Sequence, residues 1–426
     1  MDKKVTLELS KQQQQVVSAF EDGDNIFITG GAGSGKSFLL NYLRQNYAKF
    51  GFEVAASTGV AALNIGGLTI HSWAGIGLAN LPPAQILENL LSPRGMKARA
   101  RIRRTKALAI DEISMLSAEV LEILDFIFRE IRQNDKPMGG MQILFFGDFL
   151  QLPPVARFGE NFNFSFNSQA WQNLNLNNFV LEEIFRQSDK KFVKILNNLR
   201  LGEIDEDDVK ALNSRVKAVD KTSIIRPTIL TTHNAKVEKI NQLELQKIPK
   251  NEVKFDAHFS GLEDKIEFLK RNCIAQESLK LKVGAQVMMI KNIYQKEGII
   301  NGSLGIVRDF STKKSYPVVE FSNGKVLTIT PEEWLCERYN EERKLMVVDA
   351  SMNQIPLILA WAMTIHKSQG LTLDKISCDL SDVFSPGQAY VALSRARSLE
   401  GVFIEEINFS KIKADKSAID FYRKLA

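Results

Sequence analysis

The stretch Gly30-Gly31-Ala32-Gly33-Ser34-Gly35-Lys36-Ser37 follows the apolar run Ile26-Phe27-Ile28-Thr29 and precedes the helix-like run Phe38 to Leu43. A glycine-rich turn between strand and helix predicts a phosphate-binding loop. Gly30, Gly33 and Gly35 let the backbone curl, so that the N–H groups of Gly31, Ala32, Gly33, Ser34 and Gly35 point inward at anionic oxygens at a helix N-terminus. Lys36 adds a positive charge, and Ser37 offers its hydroxyl to a magnesium ion bridging two phosphates.

A hydrolytic apparatus follows the loop. Ala107-Leu108-Ala109-Ile110 suits a fully buried parallel strand and ends in Asp111-Glu112, whose carboxylates would face the ligand crevice at the strand's carboxyl end. Asp111 is the candidate magnesium ligand, and Glu112 the group that polarises the attacking water. A further strand, Gln142 to Phe146, ends in Gly147-Asp148-Phe149-Leu150-Gln151. Neutral Gln151 can both donate and accept, which suits a sensor of the terminal phosphate.

Outward from these motifs, the chain alternates strands with helices. Asn25 to Thr29, Glu53 to Ala56, Ala107 to Ile110, Gln142 to Phe146 and Phe179 to Leu181 predict a doubly wound parallel α/β sheet. A second set, Thr228 to Thr231, Val287 to Ile290, Ile376 to Cys378 and Val402 to Ile404, predicts a second parallel sheet and a cleft between the two. Residues Ile299 to Asp349 read as a small β-barrel-like insertion, with Asn323-Gly324 as a hairpin turn. Another insertion runs from Asn64 to Lys106. It ends in a basic run of Arg94, Lys97, Arg99, Arg101, Arg103, Arg104 and Lys106, which fits a grip on phosphate backbone and a solvated face equally well.

A length of 426 residues implies at least two domains. Net charge is +5, from 55 basic and 50 acidic side chains, so overall charge favours polyanions only weakly and local patches decide. Cys273, Cys336 and Cys378 lie far apart, which argues against a disulfide framework or a zinc site. Met1 to Lys4 is charged with no apolar core behind it, and the longest apolar run, Leu357 to Met363, is too short to span a bilayer. No secretory leader and no membrane partner are therefore expected, and a reducing cytoplasm fits best.

The order of loop, Asp111-Glu112 and Gly147 to Pro154 resembles superfamily one helicases. Leu9-Ser10-Lys11-Gln12-Gln13 is similar to their opening motif. Ala56 to Ala62 and Gly66 to Ser72 are similar to segments that touch single-stranded DNA, and Thr364 to Gly370 and Tyr390 to Arg397 to the two closing motifs. Glu122 to Gln142, EILDFIFREIRQNDKPMGGMQ, resembles the signature of Pif-type DNA helicases, relatives of RecD. Met138 stands where a phenylalanine is usual, and Gln12 where a glutamate is common.

That resemblance implies two RecA-like P-loop domains. The first, 1–63 and 107–181, is interrupted by a wedge subdomain, 64–106. The second, 182–298 and 356–426, is interrupted by a β-barrel-like (SH3-like) insertion, 299–355. It also implies a bare core of bacterial or phage type, with ATP and Mg2+ as cofactors and Gln13 reading the adenine edge. Gly370 would join the nucleotide site, while Arg186 and Arg395 meet the terminal phosphate. DNA contacts would come from Thr58, Gly59, His71, His366 and Lys367, with Phe149 or Trp73 able to stack a base.

The implied activity is ATP-driven unwinding from 5′ to 3′ on single-stranded, forked or tailed duplex DNA, on RNA–DNA hybrids and on G-quadruplexes. A monomer is expected, with a dimer formed on DNA left open. An ATP-gated binding switch without unwinding, and an RNA helicase, are the alternatives.

Overall fold

The computed structural model describes residues 9–154, 162–187, 189–218, 225–340, 345–381 and 383–425; Met1 to Lys4 lies outside them. The first domain is a six-stranded sheet. Its order is Leu68–Thr69, Phe52–Ala56, Ala107–Asp111, Gln142–Phe146, Ile26–Gly30 and Asn177–Leu181. Every neighbouring pair is parallel. Its central strands Ile26–Gly30 and Ala107–Asp111 are buried along their whole length, as near-continuous apolar runs covered on both faces must be. One face packs Val16, Leu39, Leu40 and Leu43, and the other packs Leu121, Leu124 and Phe128 of the Ala118–Arg132 helix.

The signature stretch acts as a structural lock on that second face. Arg132 donates to the carbonyls of Gly139, Ile102 and Thr105, at 2.7, 2.7 and 2.8 Å. Asp125 pairs with Arg129 at 2.7 Å and accepts from the Met138 N–H at 2.6 Å. A Cβ on Gly139 would lie 2.6 Å from the Phe128 carbonyl oxygen, so glycine alone permits this turn against the helix. Met138 is buried, and fills the position as an apolar side chain.

The Asn64–Lys106 insertion contributes the edge strand Leu68–Thr69 and the helices Ile70–Ala74, Pro83–Leu91 and Met96–Arg104. Its basic run is divided: Arg94, Lys97, Arg103 and Lys106 are exposed, as a solvated face would be, whereas Arg99, Arg101 and Arg104 are half-buried. Arg101 donates to the Trp73 carbonyl, Arg103 to Ile131 O at 3.2 Å, and Arg104 pairs with Glu53 at 3.0 Å. Arg101 and Arg103 thus tie helix ends through their carbonyls, and Arg104 ties the insertion to the strand Phe52–Ala56.

The second domain holds a four-stranded parallel sheet in the order Ala362–Thr364, Thr228–Thr231, Ile376–Leu380 and Val402–Ile407. Gln286–Met289 is not part of it. That strand pairs antiparallel with Leu304–Phe310 and Leu357–Leu359, in a five-stranded sheet completed by Pro317–Phe321 and Val326–Thr328. A short run buried at every residue carries no periodicity that separates the two kinds of sheet. The expected hairpin at Asn323-Gly324 is present, with Gly324 at φ 78°.

A three-stranded sheet of Glu332–Asn340, Leu345–Gln354 and His258–Gly261 adjoins it, as does the pair Val253–Asp256 and Ser278–Leu281. Antiparallel structure thus begins well before Ile299, where the sequence placed its start. After the last strand of the second sheet, the helix Lys416–Leu425 returns to the first domain and packs on its aromatic core. Among the described residues, no helix is long and apolar enough to cross a membrane.

Candidate active site

The phosphate loop leaves the strand Ile26–Gly30 and feeds the helix Lys36–Tyr47, whose N-terminal N–H groups have no side-chain cap. Gly35 caps it at φ 86°, and Gly33 sits at φ 85°, both in the left-handed region. A Cβ on Gly33 would lie 2.5 Å from the Cβ of Arg186, so this glycine admits the arginine to the loop. Lys36 Nζ donates to the carbonyls of Gly30 and Gly31, at 2.6 and 3.0 Å, and to Ser34 Oγ at 3.3 Å. Burial lowers the Lys36 pKa, opposed by the charges of Asp148 and Glu112. Ser37 is exposed at the rim.

Asp111 and Glu112 end the neighbouring strand as expected. Burial pushes Asp111 up to about 6 and Glu112 to about 7. Glu112 has φ 54° and ψ 46°, a strained conformation for a side chain of its kind. Its carboxylate accepts from the side-chain amide of Gln369 at 3.0 Å, and its carbonyl from Ser57 Oγ at 2.7 Å. Gln151 is buried and its amide reaches Asp148 Oδ2 at 3.4 Å.

Both arginines converge here. A cavity of about 290 Å³ is lined by Ala32 to Phe38, Glu112, Gln151, Phe185, Arg186, Gly370 and Arg395. Arg186 donates to the carbonyls of Ser394 and Gly370 at 3.3 and 3.2 Å. Arg395 is 1% exposed and donates to Val391 O, Ser368 O and Ser394 Oγ. Burial, followed by the like charge of Arg186, pulls Arg395 down to about 9. Among the described residues neither arginine forms a salt bridge, so an arriving polyphosphate would meet two guanidiniums without carboxylate partners.

Gln13 closes a capping box with Ser10, and its amide reaches the Gly35 carbonyl at 3.4 Å. Residues that motif reading left without roles also meet here. Tyr390 from the second domain accepts from the Ala32 N–H at 2.7 Å, and Gln187 bonds the carbonyls of Ser394 and Ala396. Arg200 holds Asp148. Gln369 lies within Thr364 to Gly370, Tyr390 opens Tyr390 to Arg397 and Gln187 follows Arg186, yet their residue types alone announce no chemistry; Arg200 lies in no motif.

The proposed DNA contacts are distributed over both domains. Thr58 caps the helix Gly59–Asn64 beside the strand Phe52–Ala56, and His71 follows the adjacent strand Leu68–Thr69. His366 and Lys367 are exposed past the edge strand Ala362–Thr364. Gly59 is half-buried, and a Cβ there would meet Asn272 Oδ1 at 1.6 Å, so its position admits backbone without a side chain. Phe149 must be corrected. It is fully buried among Phe27, Phe164, Phe166, Trp171 and Phe421, with centroids 4.8–5.6 Å away, and presents no face to a base. Trp73 is likewise core, packed edge-on against Phe128.

A phosphate loop on one parallel sheet, completed by arginines against a second, defines a two-lobed RecA-like P-loop protein. This chain belongs to the PIF1-like helicase family: the profile of that family matches residues 8–210, and the profile of the DNA helicase Pif1 2B domain matches 266–310. A zebrafish (Danio rerio) ATP-dependent DNA helicase PIF1 is 40% identical over 423 residues, and the match covers 99% of this chain and 64% of that relative's length. The crystal structure of Bacteroides sp Pif1 in complex with ADP-AlF4 superposes with a TM-score of 0.86 at 35% identity, covering 98% of this chain and 97% of that one. Bacteroides Pif1 bound to ssDNA gives 0.66 at the same identity and coverage.

Proposed function

We propose that this chain is an ATP-dependent DNA helicase that translocates on single-stranded DNA and unwinds duplex DNA. The meeting of Lys36 with Arg186 and Arg395 around one cavity carries this reading, because a nucleotide seated there is held by both lobes. Gly31 to Ser37 cradle the phosphates of ATP, Gln13 reads the adenine edge, and Gly370 closes the site.

Ser37 and Asp111 suit magnesium. Both offer hard oxygens, Ser37 at the exposed rim of the loop and Asp111 at the end of the neighbouring strand, and these two residues would hold the ion. When bound, the ion neutralises charge developing on the phosphates. Glu112 accepts the proton of the attacking water, and its raised pKa keeps it a serviceable base near neutrality. Gln151 senses the terminal phosphate. Arg186 and Arg395 stabilise its charge as it departs.

Closure and opening of the lobes shift two grips on a DNA strand: Thr58, Gly59 and His71 on one side, His366 and Lys367 on the other. A cavity of about 520 Å³ is lined by Arg44, Arg94, Lys97, Arg101, Arg104 and Lys265 together with the carboxylates of Glu53, Asp264 and Asp349, and its excess of cations supports a polyanion path beside them. The complexes of Bacteroides Pif1 with ADP-AlF4 and with ssDNA support a nucleotide and single-stranded DNA as ligands here. Travel from 5′ to 3′, action on RNA–DNA hybrids and G-quadruplexes, and a monomer able to pair on DNA rest on the family resemblance, and a reducing cytoplasmic setting on the widely separated cysteines.

Duplexes bearing a 5′ or a 3′ single-stranded tail test motor and polarity together. Unwinding of the 5′-tailed duplex with ATP, and none with a non-hydrolysable analogue, is expected. Equal product with the analogue would leave only a binding switch.

A further inference from the structure

The segment Thr364 to Gly370 is a compact turn. Ser368 N donates to Thr364 O at 2.9 Å and Gln369 N to His366 O at 3.2 Å, so its residues move together. Its outer side exposes His366 and Lys367. Its inner side touches three groups of the hydrolytic centre. Gln369 Nε2 donates to Glu112 Oε2 at 3.0 Å, Ser368 O accepts from Arg395 at 3.3 Å, and Gly370 O accepts from Arg186 at 3.2 Å. From the first domain, Ser57 Oγ holds the Glu112 carbonyl at 2.7 Å, and Ser57 directly precedes Thr58. Glu112 is therefore tied, in a strained backbone conformation, to the two segments through which a DNA strand would be gripped.

We propose that Gln369 is a latch on Glu112 that makes hydrolysis wait for DNA. This rests on the helicase reading of Glu112, His366 and Lys367. Without a strand, the Gln369 amide engages the carboxylate oxygen and fixes its rotamer, so the carboxylate is turned to an amide and away from water. A strand seated on His366 and Lys367 draws the turn, and Gln369 with it, off Glu112. The freed carboxylate then accepts a proton from the water whose oxygen bonds to the γ-phosphorus. As that bond forms, the bond from phosphorus to the β–γ bridging oxygen breaks, giving ADP and phosphate. Gln369 touches no reacting atom and is a positioning residue, coupling two sites through one element that both can bias.

Steady-state ATP hydrolysis by the full chain, with and without saturating oligo-dT, tests the latch in Gln369→Met, which keeps volume and removes the amide, and in Gln369→Asn, whose amide is one methylene short. Gln369 is half-buried, so neither change empties a core. The DNA-free kcat is expected to rise on the order of tenfold in both, within the usual range of coupling between sites. The DNA-saturated kcat and the KM for ATP should stay near wild type, so the stimulation ratio collapses. An unchanged DNA-free kcat overturns the latch, and so does a proportional fall with and without DNA, which would make Gln369 a simple support of Glu112. A wild-type rate indifferent to DNA overturns the helicase reading and the latch together, whereas a stimulated wild type with equally stimulated variants overturns the latch alone.

Discussion

Arg200 clasps Asp148 through two bonds, Nε to Oδ2 and Nη2 to Oδ1, each 2.8 Å long. Arg200 belongs to the helix Lys190–Leu201, packed in the second domain's core, and Asp148 lies at the end of a first-domain strand, so the pair bridges the lobes. Tyr422 completes the set: its hydroxyl donates to Asp148 at 3.1 Å, and the Arg200 guanidinium lies 5.1 Å from its ring centre. The Asp148 side chain is wholly buried, and removing its cation would strand a charge. Arg200→Ala is expected to lower unfolding free energy by about 3–5 kcal/mol, and the double variant Arg200→Met with Asp148→Asn by much less. Denaturant titrations measure both, and a loss from Arg200→Ala no larger than that of an exposed ion pair would refute the claim.

The same pair sets an acid dependence. Burial raises the Asp148 carboxyl, but the charge and hydrogen bonds of Arg200 outweigh it and hold the pKa below the ordinary 3.8. Because the folded-state value is the lower one, its contribution is complete above the unfolded pKa and is lost as pH falls through the folded value. Stability measured from about pH 5 down to pH 2 should therefore drop more steeply in wild type than in Asp148→Asn, where this titration is gone. Parallel curves would show that Asp148 titrates alike in both states.

Arg395→Ala should reduce DNA-stimulated kcat by about a thousandfold while ATP still binds, since an arginine finger acts on charge that develops late. Its three bonds to Val391, Ser368 and Ser394 also brace the second domain, so a modest fall in Tm should accompany the loss. Lys36→Ala should abolish hydrolysis with the fold retained. An Arg395→Ala enzyme at full speed would remove that residue from the reaction.

Phe149→Leu distinguishes core from DNA contact. The buried ring has five aromatic neighbours, so the change is expected to cost about 1–2 kcal/mol of stability. The Kd for oligo-dT should not move. Weakened DNA binding at unchanged stability would restore the stacking role.

Three strands of the first sheet, Ile26–Gly30, Ala107–Asp111 and Gln142–Phe146, were legible because buried parallel strands are continuous apolar runs that lead into the glycine loop, Asp111-Glu112 and Gly147-Asp148, whereas the two-residue edge strand Leu68–Thr69 is too short to carry any pattern. The second domain was less legible. Gln286–Met289 and Ala362–Thr364 are both short and buried, and only pairing partners separated by many residues assign one to the antiparallel and the other to the parallel sheet. In the site, Lys36, Glu112 and Arg395 could be found because their side chains belong to recognisable motifs. Asp148 with Arg200 and Ala32 with Tyr390 could not, since each contact joins residues 52 and 358 positions apart. Phe149 misled because an aromatic beside a nucleotide motif looks the same in sequence whether its ring faces water or core.

The helix Lys416–Leu425 brings Phe421 within 4.4 Å of Phe166 and 5.4 Å of Phe149, and Tyr422 within hydrogen-bonding distance of Thr29 and of the Phe149 N–H. Of the two lobes, the one synthesised first is thus finished by residues that leave the ribosome after the strands of the other. Until they arrive, a nascent chain carries an unsealed aromatic face, and a product cut short before residue 416 would keep it permanently, as a sticky intermediate for chaperones or aggregation to claim.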